Sequence, residues 1–125
     1  MANNTIFETL IRFNSKTQMK GFKYTERAIE IVLNNPEEYK DCLMITKSLY
    51  PSIAKEFNSA STRVERCMRH YISEGYDHNP AVFHLNGFDY KPTNSNFISN
   101  IAMYITRNKT IVWSIKVEKS TFIFY

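Results

Sequence analysis

Ten residues, Ser61 to His70 (STRVERCMRH), constrain this chain more than any other stretch. Val64, Cys67, Met68 and Tyr71 recur at the spacing of a buried helix face. Arg63, Arg66 and Arg69 are three apart and project along one broad stripe on the other side. A helix that is apolar behind and arginine-studded in front is held by a core and presented to an anion. Duplex DNA is the anion this chemistry favours. The planar guanidinium fork matches both phosphate oxygens and the O6/N7 edge of guanine. A plain solvated basic face has the same composition, so the argument turns on what precedes the helix.

Residues 50–69 (YPSIAKEFNSASTRVERCMR) have the internal spacing of a helix-turn-helix. Pro51 suits a first helical turn, where its missing N–H has no partner to lose. Ile53, Ala54 and Phe57 form the apolar stripe of a short helix, with the small Ala54 at the point of closest crossing. Asn58 stands where the chain must turn sharply, and Asn tolerates a left-handed conformation. Ser59, Ser61 and Thr62 are all competent N-caps, and Thr62-x-x-Glu65 has capping-box spacing. Val64 and Cys67 then face back onto the first helix. That leaves Thr62, Glu65, Arg66 and Arg69 outward, at the positions that enter a major groove.

The stretch LYPSIAKEFNSASTRVERCMRHYI (Leu49 to Ile72) closely resembles the DNA-binding effector domain of the sporulation master response regulator, the stage 0 sporulation protein A family. Upstream, MKGFKYTERAIEIVLNNPE (Met19 to Glu37) is similar to that family's second helix. Downstream, KPTNSNFI (Lys91 to Ile98) resembles the opening of its last helix. The three islands keep the family's order over roughly residues 5–106.

The resemblance implies a mainly α fold, a domain of about six helices containing a helix-turn-helix. It also implies a sequence-specific transcriptional regulator whose recognition helix, about residues 60–73, reads a short TGTCGAA-like box. The family's base-reading and phosphate-gripping positions fall on Thr62, Arg63, Glu65, Arg66, Arg69 and His70. Only Thr62 departs in type, where the family tends to serine, and the hydroxyl is kept. Arg63 and Arg66 suit bidentate guanine contacts, and Glu65 suits a cytosine amino group or an i,i+4 pair with Arg69. Thr62, Arg69 and His70 suit phosphates, which position without specifying. Lys91 is a weaker phosphate candidate.

A net charge of +4, from 16 basic and 12 acidic side chains, agrees with a DNA partner without requiring one. The opening MANNTIFETL has no secretory signal, and no run approaches the ~20 apolar residues of a membrane span. The expected location is the cytoplasm, with Cys42 and Cys67 as reduced thiols. Cys67 and His70 share a helix at i,i+3, but the helix-turn-helix pattern points Cys67 inward and His70 toward the groove. His78 and His84 lack zinc-finger spacing, so no metal or other cofactor is expected. Asp41, Asp77 and Asp89 are isolated acids, with no Gly-rich phosphate loop or nucleophile elbow beside them. The chain does not read as an enzyme.

Elsewhere the period predicts helices over Thr5–Phe13 (Ile6, Leu10 and Ile11 inward), Tyr24–Asn34 and Tyr39–Leu49. After the recognition helix comes a polar linker with Asp77, Asn79 and Pro80. A short helix over Ala81–Leu85 and a last one over Ser95–Ile105 follow. These elements make residues 1–106 the DNA-binding domain.

Two features depart from the family. Nothing like the family's receiver domain precedes Thr5 in this sequence. With MANNTIF as a natural start, a stand-alone domain without phosphorylation control is expected; with an excised fragment, the receiver has merely been left out. In the tail, residues 107–125, the stretch Lys109 to Tyr125 (KTIVWSIKVEKSTFIFY) does not resemble the family's polar helical end. Ile111, Trp113, Ile115 and Val117 alternate with Val112, Ser114, Lys116 and Glu118, the period of a strand. This β-prone tail reads as extra core, as the edge of a homodimer, or as a disordered or helical segment. The family also implies contact with RNA polymerase. A different class of function stands beside DNA reading: an interaction protein that competes with, or pairs with, the full-length regulator through this tail.

Overall fold

The computed structural model describes residues 2–39 and 44–107. Among them are six α-helices: α1 (Ala2–Phe13), α2 (Lys20–Asn34), α3 (Tyr50–Glu56), α4 (Ser61–His78), α5 (Pro80–Leu85) and α6 (Asn94–Thr106). No strand occurs among the described residues. The tail and Cys42 lie outside them, apart from Arg107, which caps α6.

Each helix turns a stripe to one core. In α1, Ile6, Leu10 and Phe13 are buried, whereas Ile11 is only half-buried. The inward register is therefore i, i+4, i+7, which takes Phe13 in and rolls Ile11 to the rim. Phe13 packs edge-on to Phe83 (4.9 Å between centroids) and to Phe97 (5.2 Å), while Phe88 stacks on Phe97 at 5.6 Å. Gly87, at φ +94°, makes the turn that brings Phe88 back under α5.

Of the expected helix over Tyr39–Leu49, Tyr39 lies in a turn, residues 40–43 lie outside the described residues, and the chain is helical at Met44. Ile45–Leu49 form a π-helical turn in which the Tyr50 N–H donates to the Ile45 carbonyl. The reason lies one residue on. Pro51 has no N–H for the Lys47 carbonyl, so the ladder widens before α3 resumes the ordinary spacing.

α4 is longer than the sequence suggests. At 18 residues it spans about 27 Å and takes in Asp77, which reads as linker in the sequence. Its extension keeps an inner face of Ile72, Gly75 and Tyr76 while Asp77 and His78 stay in water. Pro80 ends it by disfavouring helical backbone at Asn79, which serves both as the C-cap of α4 and as the N-cap of α5.

α2 lies across α4 at close range because of Gly21. A Cβ there would stand 2.2 Å from the Cys67 carbonyl oxygen and 2.6 Å from Tyr71 Cβ. The second point of contact is at Gly75, where a Cβ would meet the Phe13 carbonyl oxygen at 2.8 Å. Helix α4 is thus gripped from two sides, by α2 near its middle and by the end of α1 further along.

Candidate nucleic-acid interface

The helix-turn-helix is α3, the turn at residues 57–60, and α4. The turn is a Schellman motif: the Ser59 N–H donates to the Ala54 carbonyl (2.7 Å) and the Asn58 N–H to that of Lys55 (3.3 Å). Asn58 sits at φ 54°, the left-handed conformation its residue type favours. Ala54 and Val64 are both buried in the core. Phe57 is not; it is 38% exposed and lies edge-on to Tyr24 at 5.3 Å. The chain has already left the helix at Phe57, so its side chain swings out of the stripe.

None of the expected N-caps operates. Ala60 occupies the N-cap and offers no side-chain acceptor. Ser61 is the first helical residue, and the Ser59 hydroxyl is buried without a hydrogen-bond partner. The Thr62-x-x-Glu65 capping box is absent as well. Glu65 instead forms an ion pair with Arg69, one turn further along.

Val64, Met68, Tyr71, Ile72 and Gly75 form the inner face of α4, with Cys67 half-buried beside them as a free thiol. Thr62, Arg63, Arg66, Arg69 and His70 are exposed, and Glu65 is half-exposed. Each step of three residues on an α-helix falls about 60° short of a full turn. The three arginines therefore fan out rather than form a single line. Arg63 borders a hollow of about 400 Å³ with Lys20, Asn58 and Ser59. Arg69 borders a separate groove of about 660 Å³ with Thr62, Glu65, Lys91 and the start of α6. Arg66 occupies the angular position between them. Among the described residues, neither Arg63 nor Arg66 has an acidic partner.

Lys91 belongs to the same side of the molecule but is engaged. Its Nζ lies 3.0 Å from an Asp77 carboxylate oxygen, donates to Ser73 Oγ at 2.8 Å, and stands 5.9 Å from the centre of the Tyr76 ring. The loop before α6 is thereby tied to the far half of α4.

Two devices behind this face lie outside the helix-turn-helix motif. Asn94, the first residue of α6, donates through Nδ2 to Tyr50 Oη (3.1 Å) and to the Glu65 backbone carbonyl (3.0 Å). Thr93 caps the same helix, its hydroxyl accepting from the Asn96 N–H at 3.1 Å. Burial raises the Tyr50 hydroxyl above its ordinary pKa, so it stays protonated. On the opposite side of α4, Asn14 Nδ2 reaches the Tyr71 carbonyl and Glu74 Oε1, both at 2.9 Å. The KPTNS stretch held the one signal for the first device: an Asn following a Thr cap and preceding an apolar period.

The histidines go separate ways. His84 Nε2 pairs with the Tyr76 hydroxyl at 2.9 Å, and His78 Nδ1 lies 3.0 Å from the Glu74 carbonyl. Among the described residues no three potential metal ligands converge, and no helix is long and apolar enough to cross a membrane.

Residues 6–105 match the family model described as sporulation initiation factor Spo0A C terminal.

Proposed function

The chain belongs to the Spo0A C-terminal family, a DNA-binding regulatory domain and not an enzyme, and on that premise we propose that it reads a TGTCGAA-like box through α4. The observation that carries the proposal is the pair of exposed guanidinium groups of Arg63 and Arg66, without an acidic partner among the described residues, on a helix whose other face is buried. Such groups suit guanine edges in the major groove. Arg69, His70 and Thr62 grip flanking phosphates. Glu65 holds Arg69 in place and is near enough to the helix surface to accept from a cytosine amino group. Lys91 contributes a further positive charge to the same flank.

The proposal also includes action on chromosomal DNA in the cytoplasm and contact with RNA polymerase at regulated promoters. A second copy joined through residues 107–125 is part of it too, and sedimentation mass across a concentration series tests that pairing. The box itself is tested by anisotropy titration of the intact chain against TGTCGAA and scrambled duplexes over a salt series. Preference for the box with a slope of several phosphate contacts is the supporting result. Arg66→Ala should cost roughly 1–3 kcal/mol on the box and leave scrambled DNA nearly unaffected. Equal, weak binding to both duplexes defeats the reading.

A further inference from the structure

We propose that Asn94 and Tyr50 are positioning residues for base discrimination, acting through the backbone of the recognition helix. The inference rests on the DNA-reading function proposed above. One buried carboxamide joins three elements. Asn94 begins α6, Tyr50 begins α3, and the Glu65 carbonyl lies in the turn of α4 that carries Arg66. Asn94 is 7% exposed and Tyr50 6%. Both N–H groups of the amide are used, one on each partner, so the amide cannot turn without breaking a buried hydrogen bond.

The fixed quantity is the roll and depth of α4 relative to its neighbours. Val64 and Met68 hold the helix to the core by apolar contact, which is non-directional and tolerates small rotation. The Asn94 bonds are directional and act on the backbone one residue before Arg66. A bidentate guanine contact tolerates displacement of only about 0.5 Å and 10–20°. A phosphate contact made by a long, flexible side chain tolerates more. Loosening this clamp should therefore weaken reading of the box far more than it weakens general affinity for duplex DNA. Asn94 and Tyr50 need not touch a base for this effect, because their influence passes through the Glu65 carbonyl.

The test measures binding of the intact chain, Asn94→Ala and Tyr50→Phe to TGTCGAA and scrambled duplexes at two salt concentrations, beside a thermal melt of each protein. Tyr50→Phe keeps the ring and removes the hydroxyl that accepts from Asn94, so it decides the matter should Asn94→Ala fail to fold. The expected result is a fall in the box-to-scrambled affinity ratio of about tenfold for Asn94→Ala and about threefold for Tyr50→Phe. Scrambled-duplex affinity and its salt slope should stay at the wild-type level. A ratio retained in the variants, with or without a lower melting temperature, overturns the inference and leaves the functional reading intact. A wild-type chain without preference for the box overturns both, and that outcome is seen before either variant is compared.

Discussion

Tyr71 and Asn14 hold each other twice. The Tyr71 hydroxyl donates to the Asn14 backbone carbonyl at 2.8 Å, and Asn14 Nδ2 donates to the Tyr71 backbone carbonyl at 2.9 Å. Both residues are buried, and they lie 57 positions apart in the chain. The pair fastens the end of α1 to the middle of the recognition helix. It also supplies a polar partner where the chain leaves α1 and a free carbonyl would otherwise be stranded.

Tyr71→Phe should lower stability by about 1–3 kcal/mol, because it strands the Asn14 carbonyl while leaving the ring in place. Urea denaturation with an unchanged slope is the check. A change within error would mean that water reaches the carbonyl and the bond adds little.

Stability should fall at both ends of the pH scale for nameable reasons. The Lys16 ammonium, the Asn14 amide and nearby His78 hold the Glu74 carboxyl below its usual 4.5. A depressed folded-state pKa means that this contribution is present above pH 4.5 and is lost as the pH drops below it. Burial pushes the Tyr71 hydroxyl well above its usual 10. That contribution is present below pH 10 and is lost as the pH climbs past it. In urea midpoints, the gap between wild type and Glu74→Gln should close between pH 6 and pH 3. The gap between wild type and Tyr71→Phe should hold across that range.

Gly21→Ala should destabilise, although alanine is the better helix former by about 1 kcal/mol. The added methyl meets the Cys67 carbonyl oxygen at 2.2 Å, and backbone there cannot yield as a flexible side chain would. A net loss of about 1–3 kcal/mol is expected in thermal or urea unfolding, larger than that for Gly75→Ala, whose nearest contact is 2.8 Å.

Asp77→Asn should leave stability within about 1 kcal/mol, since the Lys91–Asp77 pair is solvated, with side chains 42% and 60% exposed. Its effect should show on DNA instead. Freed of its carboxylate, Lys91 should tighten binding to every duplex alike and steepen the salt slope by about 1. An unchanged slope would place Lys91 away from the phosphates.

Much of this arrangement was legible because it is local. The buried stripe of α4, the left-handed Asn58, Pro51 in the first turn of α3 and the last helix over Ser95–Ile105 each follow from period or backbone preference within a few residues. The opening at KPTNS follows from the family resemblance. Capping was misjudged for the opposite reason. Three hydroxyls stood within reach of the helix start, yet the Schellman turn sets the path of the chain so that Ala60 occupies the cap. The Glu65 carboxylate is drawn to Arg69 rather than back to its own N-terminus.

The sequence by itself determined that residues 5–106 are mainly helical, where the helix-turn-helix lies, and which face of α4 carries arginine, because side-chain periodicity and turn chemistry act over one or two turns. Only the tertiary structure decided how α4 is held. Asn94 reaches it from 29 residues away and Asn14 from 57, while Gly21 matters for the methyl it lacks. Nothing in the sequence around these residues marks what each of them reaches or approaches. A buried amide is useful only where folding has brought an unpaired carbonyl to it, and a missing Cβ is required only where another backbone comes that close.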